Sequence, residues 1–216
     1  MATPGGKTRI GPRRDRALYV EISIRASLET VWELTQDPHR HVRWDARFSV
    51  IRPVRLRLDG AQEFEYERGL GLHTIRGTGV SLGTRNGGGG ERTSALVFDS
   101  RDRLSPLRKG RGYWRYIPTS DGVRFLTGFD YEPGWGALGR VLDPLLVRPF
   151  VWWLTARSFD RLRLWAEEGV APERTAWWRA LRPGPRPRAR RCLSRPPVRG
   201  SEIMRDAPPS LAGIER

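Results

Sequence analysis

The chain has 216 residues, enough for one domain with its own core and no need of disulfide staples. Its 39 basic and 24 acidic residues give a net charge of +15, but residues 1–17 and 172–216 carry most of the excess. The body between them is nearly balanced, which argues against a nucleic-acid-binding face built into the fold. Only Lys7 and Lys109 are lysines, an arginine bias that a GC-rich coding sequence explains as well as anion binding does.

Residues 1–17 are polar and basic, lack the apolar core of a signal peptide, and read as a flexible N-terminus. From Tyr19 to Arg25 the sequence alternates. Val20, Ile22 and Ile24 share one face, opposite Glu21, Ser23 and Arg25, as in a half-buried strand with a solvated outer side. Ser27 is placed to cap a helix carrying Val31, Trp32 and Leu34, which ends at Asp37-Pro38. A short helix or turn through His39, His41 and Trp44 follows. Strands are predicted over 46–52, 62–68, 71–80, 92–99, 108–117 and 122–132, with turns at Gly69–Gly71, Asn86–Gly90 and Ser120–Gly122.

Residues 137–168 then read as one long helix with Leu138, Leu142, Leu145, Phe159 and Leu162 spaced by threes and fours. Its charges, Arg140, Asp143, Arg148 and Arg157, exclude a bilayer span. Pro144 and Pro149 predict a kink near its start. The Gly/Pro-rich segment there, together with the 83–91 hairpin tip, is a candidate gate. Residues 170–216 are rich in Pro and Arg, and are predicted to be a disordered or extended tail that folding does not need. The single cysteine, Cys192, lies in it; with no possible intrachain disulfide, the expected location is cytoplasmic.

Grouped strands without βα alternation make the chain α+β. YVEISIRASLETVWELTQDPHRHVRWD resembles the opening strand and two short helices of the SRPBCC, or START-like, helix-grip superfamily, which includes polyketide cyclase/dehydrase and lipid-transport branches. RFLTGFDYEPGWGALGRVLDPLLVRPFVWWLTARSFDRLRLWAEEG resembles its last strand and closing helix. The resemblance covers about residues 18–169 and implies a curved antiparallel sheet wrapped around a long C-terminal helix, with a cavity between them. It implies a small hydrophobic, lipid- or polyketide-like ligand bound or carried in that cavity. The alternative is a cyclase or dehydratase acting in the same place.

The expected cavity lining is Trp44, Phe64, Tyr66, His73, Tyr113, Phe125, Phe129, Tyr131 and Trp152. No catalytic set can be assembled from the residues. The three histidines, His39, His41 and His73, lack further metal ligands, so His39 and His41 read as a solvated turn and no metal or cofactor is expected. Arg115 and Glu65 read as outward and solvated or as anchors for a ligand's polar head. The tail arginines suggest at most a weak membrane-surface contact and no specific nucleic acid; the oligomeric state is open.

Overall fold

The computed structural model describes residues 17–175, 184–198 and 201–208. Strand β1 (Leu18–Ile24) leads into helices α1 (Leu28–Gln36) and α2 (Pro38–Trp44). Six strands follow: β2 (Val50–Leu56), β3 (Gln62–Gly69), β4 (Thr74–Asn86), β5 (Arg92–Asp99), β6 (Leu107–Thr119) and β7 (Gly122–Pro133). The chain then closes with α3 (Gly136–Leu142), a π turn over Asp143–Val147 and α4 (Arg148–Glu168).

The sheet has seven antiparallel strands in the order β1-β7-β6-β5-β4-β3-β2. The first strand therefore pairs with the last, Ile22 opposite Phe125. Consecutive strands do the rest by hairpins, and α4 lies along the β1 side of the concave face.

Local chemistry explains the helix boundaries. The Ser27 side chain accepts from Thr30 N–H and starts α1. Asp37 ends α1 and starts α2, accepting from His39 and Arg40 N–H, with Pro38 at the first helical position. Gly169, at φ 64°, ends α4, where its N–H and that of Val170 cap the carbonyls of Trp165 and Leu164. The predicted kink takes the form of the π turn. Pro144 and Pro149 cannot donate, and the Arg148 N–H reaches back five residues to the Asp143 carbonyl.

The helix stripe divides. Phe159 and Leu162 are fully buried, while Leu138 and Leu145 stand in solvent at 62% and 69% exposure. The buried half packs on the β1, β7 and β6 end of the sheet with Val20, Ile22, Trp44, Trp114, Tyr116 and Phe125. Leu142, between Leu138 and Leu145, lines a cavity.

Two expectations are corrected. Residues 184–198 and 201–208 are not a disordered tail. Leu193 exchanges two backbone hydrogen bonds with Glu21 (3.2 and 2.9 Å) on the outer edge of β1, and Cys192 is buried against Ala156. Ile203 and Ala207 then cover Tyr19, Tyr113 and Leu126 on the convex face. At Glu21 the outer side of β1 is consequently not solvated, whereas Ser23 and Arg25 are exposed as expected. Glu21 is buried there, accepting from the Tyr19 hydroxyl and from Arg124 Nε at 2.7 Å. Composition missed this because a Pro/Arg-rich strap needs few apolar residues when the sheet supplies the surface. The Trp177-Trp178 segment lies outside the described residues.

The second correction concerns the gate. Strand polarity places the 83–91 hairpin tip at the α1 end of the sheet, where Arg92 pairs with Glu29. The α3 segment sits at the other end, beside the loops 70–73 and 100–106. The two cannot form one gate.

Candidate functional site

A cavity of about 970 Å³ lies between the concave face of β2–β6 and the α3–α4 arm. Its position follows from how the aromatic residues are shared along the sheet. Next to α4, Trp44, Trp114, Tyr116, Phe125 and Phe159 form a ring cluster, and of these only Trp114 reaches the cavity. Further along the sheet the helix no longer covers the strands, and Ile51, Phe64, Tyr66, Ile75, Leu96 and Phe98 face open volume. Leu142, Leu146, Val147, Phe150, Val151 and Leu154 form the roof. Leu70, Leu104, Pro106 and Trp135 form the mouth.

Glycines set the depth of the floor. A Cβ on Gly79 would lie 2.3 Å from the Phe64 ring, one on Gly77 2.3 Å from Tyr66, and one on Gly110 2.2 Å from Phe98. Each ring therefore lies flat across the neighbouring strand and not upright in the cavity. Gly79→Ala should lift the Phe64 ring, shrink the cavity and weaken a bulky apolar dye, at a stability cost of about 1–3 kcal/mol. Dye titration and thermal melting check this; unchanged affinity would show that Phe64 does not bound the volume.

Of the expected lining residues, the structure brings Phe64, Tyr66, Phe129 and Tyr113 to the cavity wall. Tyr113 belongs mainly to the other face, where its hydroxyl donates to the Ile203 carbonyl at 2.7 Å. The remaining five are elsewhere. Trp44 and Phe125 are fully buried core, with Trp44 Nε1 donating to the Leu34 carbonyl. Trp152 donates to the Tyr19 carbonyl, and the Tyr131 hydroxyl donates to buried Asp143 at 2.6 Å. His73 sits just ahead of β4, half-exposed, bonded to Asp102 at 3.0 Å. Arg115 is on the convex face, paired with Glu91 and Asp206, and is therefore not simply solvated.

The sequence reading missed the polar pole of the cavity. His41 is buried, not solvated; its ring stacks on Trp44 at 5.0 Å and meets the edges of Phe48 and Trp114. Its Nε2 pairs with Asp45 Oδ2 at 3.0 Å. Asp45 has no solvent exposure and also accepts from Arg47 Nε (2.9 Å) and Nη2 (2.7 Å). Burial alone would push the Asp45 carboxyl up. The Arg47 charge and the hydrogen bonds from His41 and Arg47 outweigh it and hold the group well below the usual carboxylate range. The available signal was the spacing: His41 and Asp45 are four residues apart, one helical turn, and so share a face.

Gln36 and Thr35 add amide and hydroxyl groups at this end, where both bond the Tyr116 hydroxyl. Burial pushes the Tyr66 phenol above its usual range, so it stays neutral. Among the described residues, no group of three His, Cys, Asp or Glu side chains is placed to hold a metal, and no helix is long and apolar enough to cross a membrane.

No family model matches the chain. A Bacillus subtilis (strain 168) protein described as the uncharacterized membrane protein YndG is 44% identical over 164 residues. The match takes in 74% of this chain, which spans about three fifths (61%) of that protein's length. A STAR-related lipid transfer protein from Xanthomonas axonopodis superposes with a TM-score of 0.52 at 16% identity, over 71% of this chain and 87% of that one. The di-domain ARO/CYC protein StfQ of the steffimycin biosynthetic pathway superposes at 0.50 and 14% identity, over 73% of this chain and 54% of its own. The chain has the SRPBCC/START-like helix-grip fold. In START-like terms β1, α1 and α2 open the domain, α4 is the gripped helix, and the cavity lies under it.

Proposed function

We propose that this START-like domain binds or carries a small hydrophobic molecule. The observation that supports it is the 970 Å³ cavity, walled by leucine, isoleucine, valine and phenylalanine side chains and reached through an apolar mouth. An unfilled apolar volume of this size is costly unless a ligand or solvent occupies it, and preformed concave pockets of this kind are the usual sites of small-molecule binding. The STAR-related lipid transfer protein of the same fold carries its ligand class in its name, which agrees with this reading. The cytoplasm is the location this reading takes, since a chain with one cysteine forms no intrachain disulfide.

An environment-sensitive neutral dye should bind the folded protein at one site with roughly micromolar affinity. Bulky substitution of the roof, Leu146→Trp or Leu154→Trp, should displace it. Folded protein that binds neither dye nor any long-chain amphiphile would overturn the carrier reading.

One observation favours the second reading, a cyclase or dehydratase acting in the same cavity. His41 is held by buried Asp45 through Nε2, and no described residue bonds Nδ1. A ring held in this way can take a proton from the carbon next to a ligand carbonyl, with Asp45 stabilising the imidazolium. The test is loss of a soluble poly-β-ketone mimic in the presence of the protein. His41→Ala should lower the rate by about a hundred-fold. No acceleration by the wild-type protein rules this reading out and leaves the carrier reading standing.

A further inference from the structure

We infer that the ligand carries an anionic head, a carboxylate of fatty-acid type, and that Arg68 and Arg47 receive it. This rests on the carrier reading above and narrows it to one chemical class.

The charged lining is one-sided. Among the described lining residues the basic side chains are His41, Arg47 and Arg68, with no aspartate or glutamate. Arg47 is shared with Asp45, which takes its Nε and Nη2 and leaves Nη1 outside those contacts. Arg68, on β3 between Tyr66 and the mouth residue Leu70, is half-buried and has no carboxylate within ion-pair distance among the described residues. Arg57, Arg92, Arg115 and Arg124, also half-buried, each have one, in Glu63, Glu29, Glu91 and Glu21, while Arg111, Arg157 and Arg161 donate instead to backbone carbonyls.

Position supports the same conclusion. The Ser49 N–H donates to the Glu67 carbonyl at 2.7 Å, which sets the Arg47–Ser49 segment beside the Glu67–Gly69 end of β3. Both guanidinium-bearing residues therefore come from one side of the cavity, and the hydrocarbon roof of α3 and α4 covers the rest. A desolvated guanidinium is costly without a partner, and its planar fork matches a carboxylate. Apolar walls lower the dielectric and strengthen that attraction. A neutral lipid would leave Arg68 unpaired; an anionic amphiphile satisfies it while its chain fills the apolar volume.

The experiment is competitive displacement of a bound neutral naphthyl dye by dodecanoate and by dodecan-1-ol at neutral pH. These have equal chain length and differ in head charge. Dodecanoate should win by about ten-fold or more, the worth of one charge-assisted hydrogen bond. Arg68→Met should cut the acid-to-alcohol ratio to within about three-fold, and Arg68→Lys should restore part of it. Each ratio is internal to one variant, so a change in cavity shape cancels. Equal affinity of acid and alcohol in the wild type, or a preference that survives Arg68→Met, overturns the anionic-head inference and leaves the carrier reading intact. Displacement by neither, with no dye bound to folded protein, removes both. Dodecyl phosphate binding more tightly than dodecanoate would reassign the head from carboxylate to phosphate and overturn the class named here.

Discussion

A chain cut after Pro183 melts about 8–16 °C below the full-length protein. The cut removes both Glu21–Leu193 backbone bonds, the burial of Cys192 against Ala156, and the Ile203 and Ala207 cover on Tyr19, Tyr113 and Leu126. It also removes the Tyr113–Ile203 and Arg115–Asp206 bonds and the Arg188 N–H held by buried Asp160. At about 1 kcal/mol net per hydrogen bond and 1–2 kcal/mol per buried apolar side chain, and after discounting the exposed members, the loss is about 4 kcal/mol. For a domain of this size each kcal/mol is worth about 2–4 °C. Cys192→Asp in the intact chain should reproduce part of the effect, since it places a charge in the same pocket. A melting temperature within about two degrees of full length would show that the segment only rests on the sheet.

Asp45→Asn should cost about 3 kcal/mol at neutral pH, because it leaves Arg47 without its counter-charge inside the domain. The pH dependence separates this from simple mispacking. The folded Asp45 carboxyl lies below its unfolded value, held there by Arg47 and His41 against the opposing effect of burial. Its contribution is therefore complete above the ordinary carboxylate range, about pH 4 and higher, and is lost as pH falls towards the lowered folded value. Urea unfolding at pH 7, 5 and 3 should show wild type and Asp45→Asn well separated at the first two and the gap narrower by about 1 kcal/mol at the third. A gap that is the same at all three would mean that the charge of Asp45 contributes nothing.

The alternation in YVEISIR, the Ser27 cap, the end of α1 at Asp37-Pro38, the hairpin turns and the helical run 137–168 with its kink were all local patterns, and each marked an element of the expected type. They also carried the resemblance that the fold bears out. The site was less legible. A period of two tells which face of a strand a side chain takes, and Phe125, Phe129 and Tyr131 do share the concave face. It does not tell which half of that face the helix will cover. That depends on where α4 crosses the sheet, a long-range fact, so Trp44 and Phe125 became core while Phe64 and Tyr66 kept open space. His41 was misread for the same reason. In sequence it is one of two histidines in a basic turn; its burial comes from Phe48 and Trp114, the latter 73 residues away.

The pairing of β1 with β7 has a consequence for synthesis. As this domain is synthesised, β1 has no partner until residues 123–129 have followed it, and its other edge waits for Leu193. For most of translation, Leu18–Ile24 is therefore a ready strand with both edges open, the kind of segment that joins other nascent chains. Glu21, at its centre, is the one charge in that stretch and keeps it from stacking on copies of itself. The same carboxylate is later enclosed by Tyr19, Arg124 and the strap, so one side chain guards the strand while it waits and fastens it once the chain is complete.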